Sequence, residues 1–148
     1  MSAPTAPQAN DFLRTGPAAS LLSELRAAPD GHIGDRLSEA IRVITRSSSH
    51  LSAHEVDSAI AAIALLLAAN DPTILDGAAD EDALRGWLHH VDLELTPGRW
   101  LMAEAALNRT EIGVDNQWYS AHETAGTLAA ALRTVRRLRN GLHDAFGG

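Results

Sequence analysis

A chain of 148 residues and 15.7 kDa fits one domain of ordinary size, able to bury about 68–70% of its unfolded surface. Hydrophobic residues make up 45% and charged residues 21%, a globular balance that excludes wholesale disorder and collagen-like structure. Twelve basic against nineteen acidic side chains give a formal charge of −7, which weighs against duplex nucleic acid or an anionic membrane as the main partner.

Cysteine is absent, so disulfides, thiolate metal sites and cysteine nucleophiles are excluded. Every basic residue is an arginine, so no lysine is present to form a Schiff base. Apolar residues recur at spacings of three and four, and the alternation of β-strands is missing. The expectation is an all-α, single-domain antiparallel bundle of about six helices, with a disordered tail over residues 1–10 and one helical domain over 11–148.

The opening Met1–Ala9 carries two prolines and no charged side chain, and lacks the basic and apolar regions of a secretion signal, which fits a cytoplasmic protein. A first helix is expected from about Pro17, with Leu21, Leu22 and Leu25 inward, stopped by Pro29 and Gly31. The second runs from Ile33 to Arg46 on the stripe Ile33, Leu37, Ile41 and Ile44, and ends at Ser47–Ser49.

Ser52-Ala53-His54-Glu55 is a capping box opening a third helix. That helix is apolar on nearly every side from Val56 to Ala69, the mark of a central element surrounded by others, and Asn70-Asp71-Pro72 breaks it. Its uninterrupted apolar run, Ala59 to Ala69, is about half of the roughly 20 residues that cross a bilayer, so no membrane span is expected.

A fourth helix is expected over Asp80–Leu93, with Leu84, Trp87, Leu88 and Val91 inward. Thr96-Pro97 opens a fifth that reaches Glu111, with Gly113 as a left-handed stop. The last begins between Asp115 and Ser120, where Ser120-Ala121-His122-Glu123 is a second capping-box candidate, and continues to Asn140 before Gly141. Its core stripe is Leu128, Leu132, Val135, Leu138 and Leu142, which leaves Arg133, Arg136 and Arg137 on another face.

No catalytic motif is present. The seven histidines include His54, His89, His90 and His122, but adjacent His-His and His-Glu pairs project about 100° apart on a helix, and no H-E-x-x-H occurs. The one i, i+4 His/carboxylate pair on the fourth helix is His90 with Glu94, so no metal and no cofactor is expected. There is no nucleophile elbow and no phosphate-binding loop.

The segment Asn108–Ser120 holds Trp118 and Tyr119 beside Asp115, Asn116 and Gln117, in a chain with only 4% aromatic residues. Aromatics near a loop serve as interface anchors, so Trp118, Tyr119, Asp115 and Gln117, with Arg136 and Arg137, form the candidate partner-binding set. The competing assignment makes Trp118 a core plug beneath the loop.

Asn10-Asp11-Phe12-Leu13, the Ala-rich third helix, Ala103–Leu107, Gln117-Trp118 and Leu138-Arg139-Asn140-Gly141-Leu142 together resemble the bacterial family called domain of unknown function 4259. The likeness spans most of the chain and carries no catalytic residues with it. It implies a small helical module of partner-binding, immunity- or antitoxin-like kind. The functional expectation is thus a protein-interaction module, with a basic protein partner steered by the −7 charge, or self-association. An enzyme or ligand carrier using His89 or His90 as acid–base groups in an inter-helix pocket is the alternative. A homo-oligomeric structural protein is another.

Overall fold

The structure, a computed structural model, describes residues 16–27, 33–46, 50–69, 81–90 and 96–147. The expected tail over 1–10, the stop at Pro29 and Gly31, Ser47–Ser49, the Asn70–Pro72 break, the Asp80 cap, Val91 and Glu94 lie outside those residues, as do the side chains of Leu84, His89 and His90.

The described residues form seven helices: α1 (Gly16–Ala27), α2 (Ile33–Arg46), α3 (Ala53–Ala68), α4 (Glu81–His90), α5 (Pro97–Thr110), α6 (Gln117–Ala125) and α7 (Leu128–Gly147). No strand occurs among them; Leu51 and Asn116 form one isolated parallel bridge. The all-α expectation holds, with one helix more than the six expected. The extra helix arises because Gly126, at φ 76°, turns the chain left-handed and divides the expected last helix into α6 and α7.

Helix α3 is the centre. Val56 and every residue from Ala59 to Ala68 are buried, because α1, α2, α5, α6 and α7 all pack on it. Each Leu, Ile or Val so enclosed is stabilised by about 1.5–3 kcal/mol relative to exposure. The Ser52 capping box is formed at both bonds: Ser52 Oγ accepts from Glu55 N–H at 3.1 Å, and Glu55 Oε1 accepts from Ser52 N–H at 3.1 Å.

Helix α2 buries the expected stripe, Ile33, Leu37, Ile41 and Ile44, against α3. It also packs on α5, where Gly34 leaves the room that the Arg99 guanidinium fills and Arg99 Nε donates to Ser38 Oγ at 3.3 Å. Helix α5 opens as expected on Thr96, whose Oγ1 accepts from Arg99 N–H, followed by Pro97.

Helix α5 runs antiparallel to α7. Trp100, near its start, donates from Nε1 to Leu142 O at 2.7 Å, while Glu111, at its end, meets Arg136 and Arg139. Trp87, expected to face inward, and Trp100 are both half-buried against the core.

Two boundary expectations are corrected. Gly141 does not end α7, which continues to Gly147. A Cβ at Gly141 would lie 2.6 Å from Leu67 Cδ2, so the glycine serves a close approach of α7 to α3 in mid-helix. Gly113 is not the left-handed residue after α5; Asp115 is, at φ 51°.

Candidate interaction site at the α5–α6 corner

The chain from Thr110 to Gln117 leaves α5 and enters α6 through a loop tied down at nearly every residue. Arg109 reaches forward from the last turn of α5, donating from Nη1 to Ile112 O at 3.2 Å and from Nη2 to Val114 O at 3.0 Å. Asn116, only 2% exposed, donates from Nδ2 to Thr110 O at 2.9 Å and Ile112 O at 3.1 Å. Its Oδ1 accepts from Tyr119 N–H at 3.1 Å, which makes Asn116 the N-cap of α6.

Asn116 therefore replaces the capping box expected at Ser120. Ser120 instead lies inside α6, with its hydroxyl on Asn116 O. The left-handed turn at Asp115 suits a short polar side chain. Gly113 lies against the Tyr119 ring, where an added Cβ would stand 3.0 Å from Cε1.

A second set of bonds fastens the loop to the start of α3. Asp115 O accepts from Leu51 N–H at 2.7 Å, and Leu51 O accepts from Gln117 N–H at 2.9 Å. Gln117 Oε1 then accepts from Ala53 N–H at 3.0 Å. One orphan donor at the start of each helix is thus satisfied by the other: Gln117 N–H by Leu51 O just before α3, and Ala53 N–H by the first side chain of α6.

Of the six expected contact residues, Trp118 is 1% exposed and occupies the core-plug position. Its Nε1 donates to Asp57 Oδ1 at 3.1 Å, and its ring meets His122 edge-on with centroids 4.7 Å apart. Tyr119 is half-buried, whereas Asp115 and Gln117 are exposed. Arg136 joins the corner by pairing with Glu111 at 3.5 Å, beside Arg139 at 2.6 Å on the same carboxylate. Arg137 is exposed on the outward side of α7 with Arg133.

Sequence reasoning missed the two exposed apolar side chains of this loop. Ile112 is 52% and Val114 is 69% exposed, on the loop that Arg109 and Asn116 hold rigid. The sequence signal was present as two large apolar residues in an otherwise polar connection, Glu111-Ile112-Gly113-Val114-Asp115. Leu101, also exposed, lies near the other end of α5.

It also missed Asp57, a half-buried acid on the apolar α3. Burial raises its pKa above the ordinary carboxylate value, opposed in turn by the charge of His122, the Trp118 hydrogen bond and the charge of His54. His122 Nδ1 lies 2.7 Å from Thr127 Oγ1. Among the described residues, no group of three or more His, Asp or Glu side chains is placed to hold a metal ion.

Comparisons with known proteins find no matching family model, no matching curated protein and no matching solved structure.

Proposed function

We propose that the chain is a protein-interaction module whose contact surface is the α5–α6 corner: Ile112 and Val114 at its centre, Tyr119, Asp115 and Gln117 beside them, and Arg136 and Arg137 on the α7 flank. The observation that carries this reading is the exposure of two branched apolar side chains on a loop whose backbone is hydrogen-bonded into place. Exposed apolar groups on a mobile loop would lose ordering entropy on binding; here that cost is largely met in advance by the fold.

An immunity- or antitoxin-like role, in which a module covers and restrains its partner, is the setting implied by the likeness to domain of unknown function 4259.

The test is quantitative affinity capture from native lysate with wild type beside the double variant Ile112→Asp, Val114→Asp. Both side chains are exposed, so the variant keeps its fold. The expected outcome is a protein retained by wild type and lost by the variant. Equal recovery overturns the assignment. Trp118→Ala does not serve here, because removing a buried indole destabilises the fold itself, so a lost partner would not locate the contact.

A further inference from the structure

On the other helices, three of the described arginines stand beside a carboxylate, all of them on α2. On α2, Arg42 and Arg46 both pair with Glu39, and Arg36 reaches Glu24 of α1. Helix α7 is different, with four arginines against one aspartate in a chain whose formal charge is −7.

Arg136 and Arg139 share the single carboxylate of Glu111. Arg137 has no carboxylate partner among the described residues, and Arg133 bonds only Ala129 O of its own helix. Asp144 stands two helical turns beyond Arg137, roughly 10 Å along the axis. Arg133 with Arg136 and Arg133 with Arg137 are i, i+3 and i, i+4 neighbours, spacings at which like charges repel. The Arg136 side chain is 60% exposed although it is paired.

Glu111 connects this cationic strip to the apolar loop. It holds Arg136 on one side and is followed directly by Ile112, so the Arg136 guanidinium and the start of the apolar loop meet at one rim, at the end of α5. We propose that this rim, formed by the 111–115 loop and the outward side of α7, binds a short acidic protein segment that carries apolar side chains. The proposal rests on the reading of the corner as an interaction site and adds the chemistry of the partner.

Three observations favour that occupant. Carboxylates relieve the mutual repulsion of Arg133, Arg136 and Arg137, and arginine receives them bidentately. Ile112 and Val114 need apolar surface opposite them, which a phosphate backbone lacks. A long polyanion would also run past the strip into the acid-rich remainder of the chain, while a short segment meets the local charge alone. The basic partner favoured by net charge would meet that remainder rather than this rim.

The experiment is fluorescence anisotropy of the full chain with four labelled probes: a short peptide of glutamates and leucines, its glutamate–serine and lysine–leucine counterparts, and a single-stranded oligothymidine. The glutamate–leucine peptide is expected to bind best, and to bind more weakly as salt rises. Arg133→Glu with Arg137→Glu weakens it by about tenfold or more, and so does Ile112→Ser with Val114→Ser, with thermal melting confirming that both variants fold.

Preference for the lysine–leucine peptide, equal binding of the glutamate–serine peptide or the oligonucleotide, or no binding of any probe overturns the proposal. Sedimentation at rising concentration is the companion measurement. A dimer abolished by Arg133→Glu with Arg137→Glu assigns the rim to a second copy and also overturns it. Loss of a captured protein by the Ile112/Val114 variant, together with failure of the acidic peptide, leaves the interaction site standing and refutes only the acidic partner.

Discussion

Trp118 and Asp57 are joined by one hydrogen bond that ties the first turn of α6 to the side of the central helix: the indole N–H donates to the carboxylate at 3.1 Å. The pair places a hydrogen-bond donor on a half-buried carboxylate, and so explains how an acid is tolerated on a helix otherwise enclosed largely in apolar side chains. Replacing Trp118 with Phe keeps most of the ring and removes the donor, with an expected loss of about 1–3 kcal/mol. Trp118→Ala adds a cavity and reaches about 3–5 kcal/mol. Urea denaturation of both variants separates the two contributions, and wild-type stability in Trp118→Phe would remove the hydrogen bond from the account.

Asp57 has a raised pKa in the folded protein, chiefly through burial, so the folded chain holds a proton there that the unfolded chain has already released. The corresponding stability is fully present below the unfolded carboxylate pKa of about 3.9 and is lost as pH rises through the folded value. At neutral pH the charged form is a liability. Asp57→Asn, which still accepts from Trp118, is therefore expected to be at least as stable as wild type at pH 7. Its advantage shrinks on acidification as Asp57 protonates. Denaturation midpoints of both proteins between pH 3 and 8 check this; an advantage that grows toward acid would reverse the sign.

Gly141 sits where α7 touches α3. Alanine there would gain about 1 kcal/mol of helix propensity, but its methyl group meets the fully buried Leu67. Overpacking costs about 1–3 kcal/mol, so Gly141→Ala is expected to destabilise on balance. In a Leu67→Ala background the same substitution should turn stabilising, and a double-mutant cycle measures the coupling.

Asn116 spends both its amide donors and its acceptor on three separate backbone groups. Asn116→Ala should cost about 2 kcal/mol or more, combining a lost helix cap with stranded carbonyls. Asn116→Asp restores the cap and leaves the two carbonyls unserved, so it should recover only part. Amide exchange at Tyr119 reads the cap, and the extent of loss at Ile112 and Val114 reads the loop; unchanged protection in Asn116→Ala would refute the role.

Most of the helices were legible because their signals are local. The Ile33–Ile44 stripe, the Ser52–Glu55 box and Thr96-Pro97 each depend on neighbours within a few residues, and α2, α3 and α5 start or run where those signals put them. Gly141 misled because its reason is Leu67, distant in sequence, and a glycine needed for close helix contact reads the same as one that ends a helix. Gly126 was the true divider, yet it stands in an alanine-rich stretch whose helical propensity on both sides hides it.

At the candidate site, Trp118, Tyr119, Asp115 and Gln117 were singled out by composition, and as neighbours in sequence they lie at one corner. Their division of labour was not visible, because whether an indole faces inward depends on Asp57, far along the chain. Ile112 and Val114 escaped because their exposure is enforced by Arg109 and Asn116 through backbone bonds that leave no periodic trace.

The Leu51–Asn116 clasp brings together stretches some 64 positions apart, in a molecule whose other regular structure is made almost wholly of short-range helical bonds. Closing so wide a loop returns nothing until both ends are already in register. The seam therefore forms late, after the helices have docked, and weakening it should hasten unfolding while leaving the rate of folding nearly untouched.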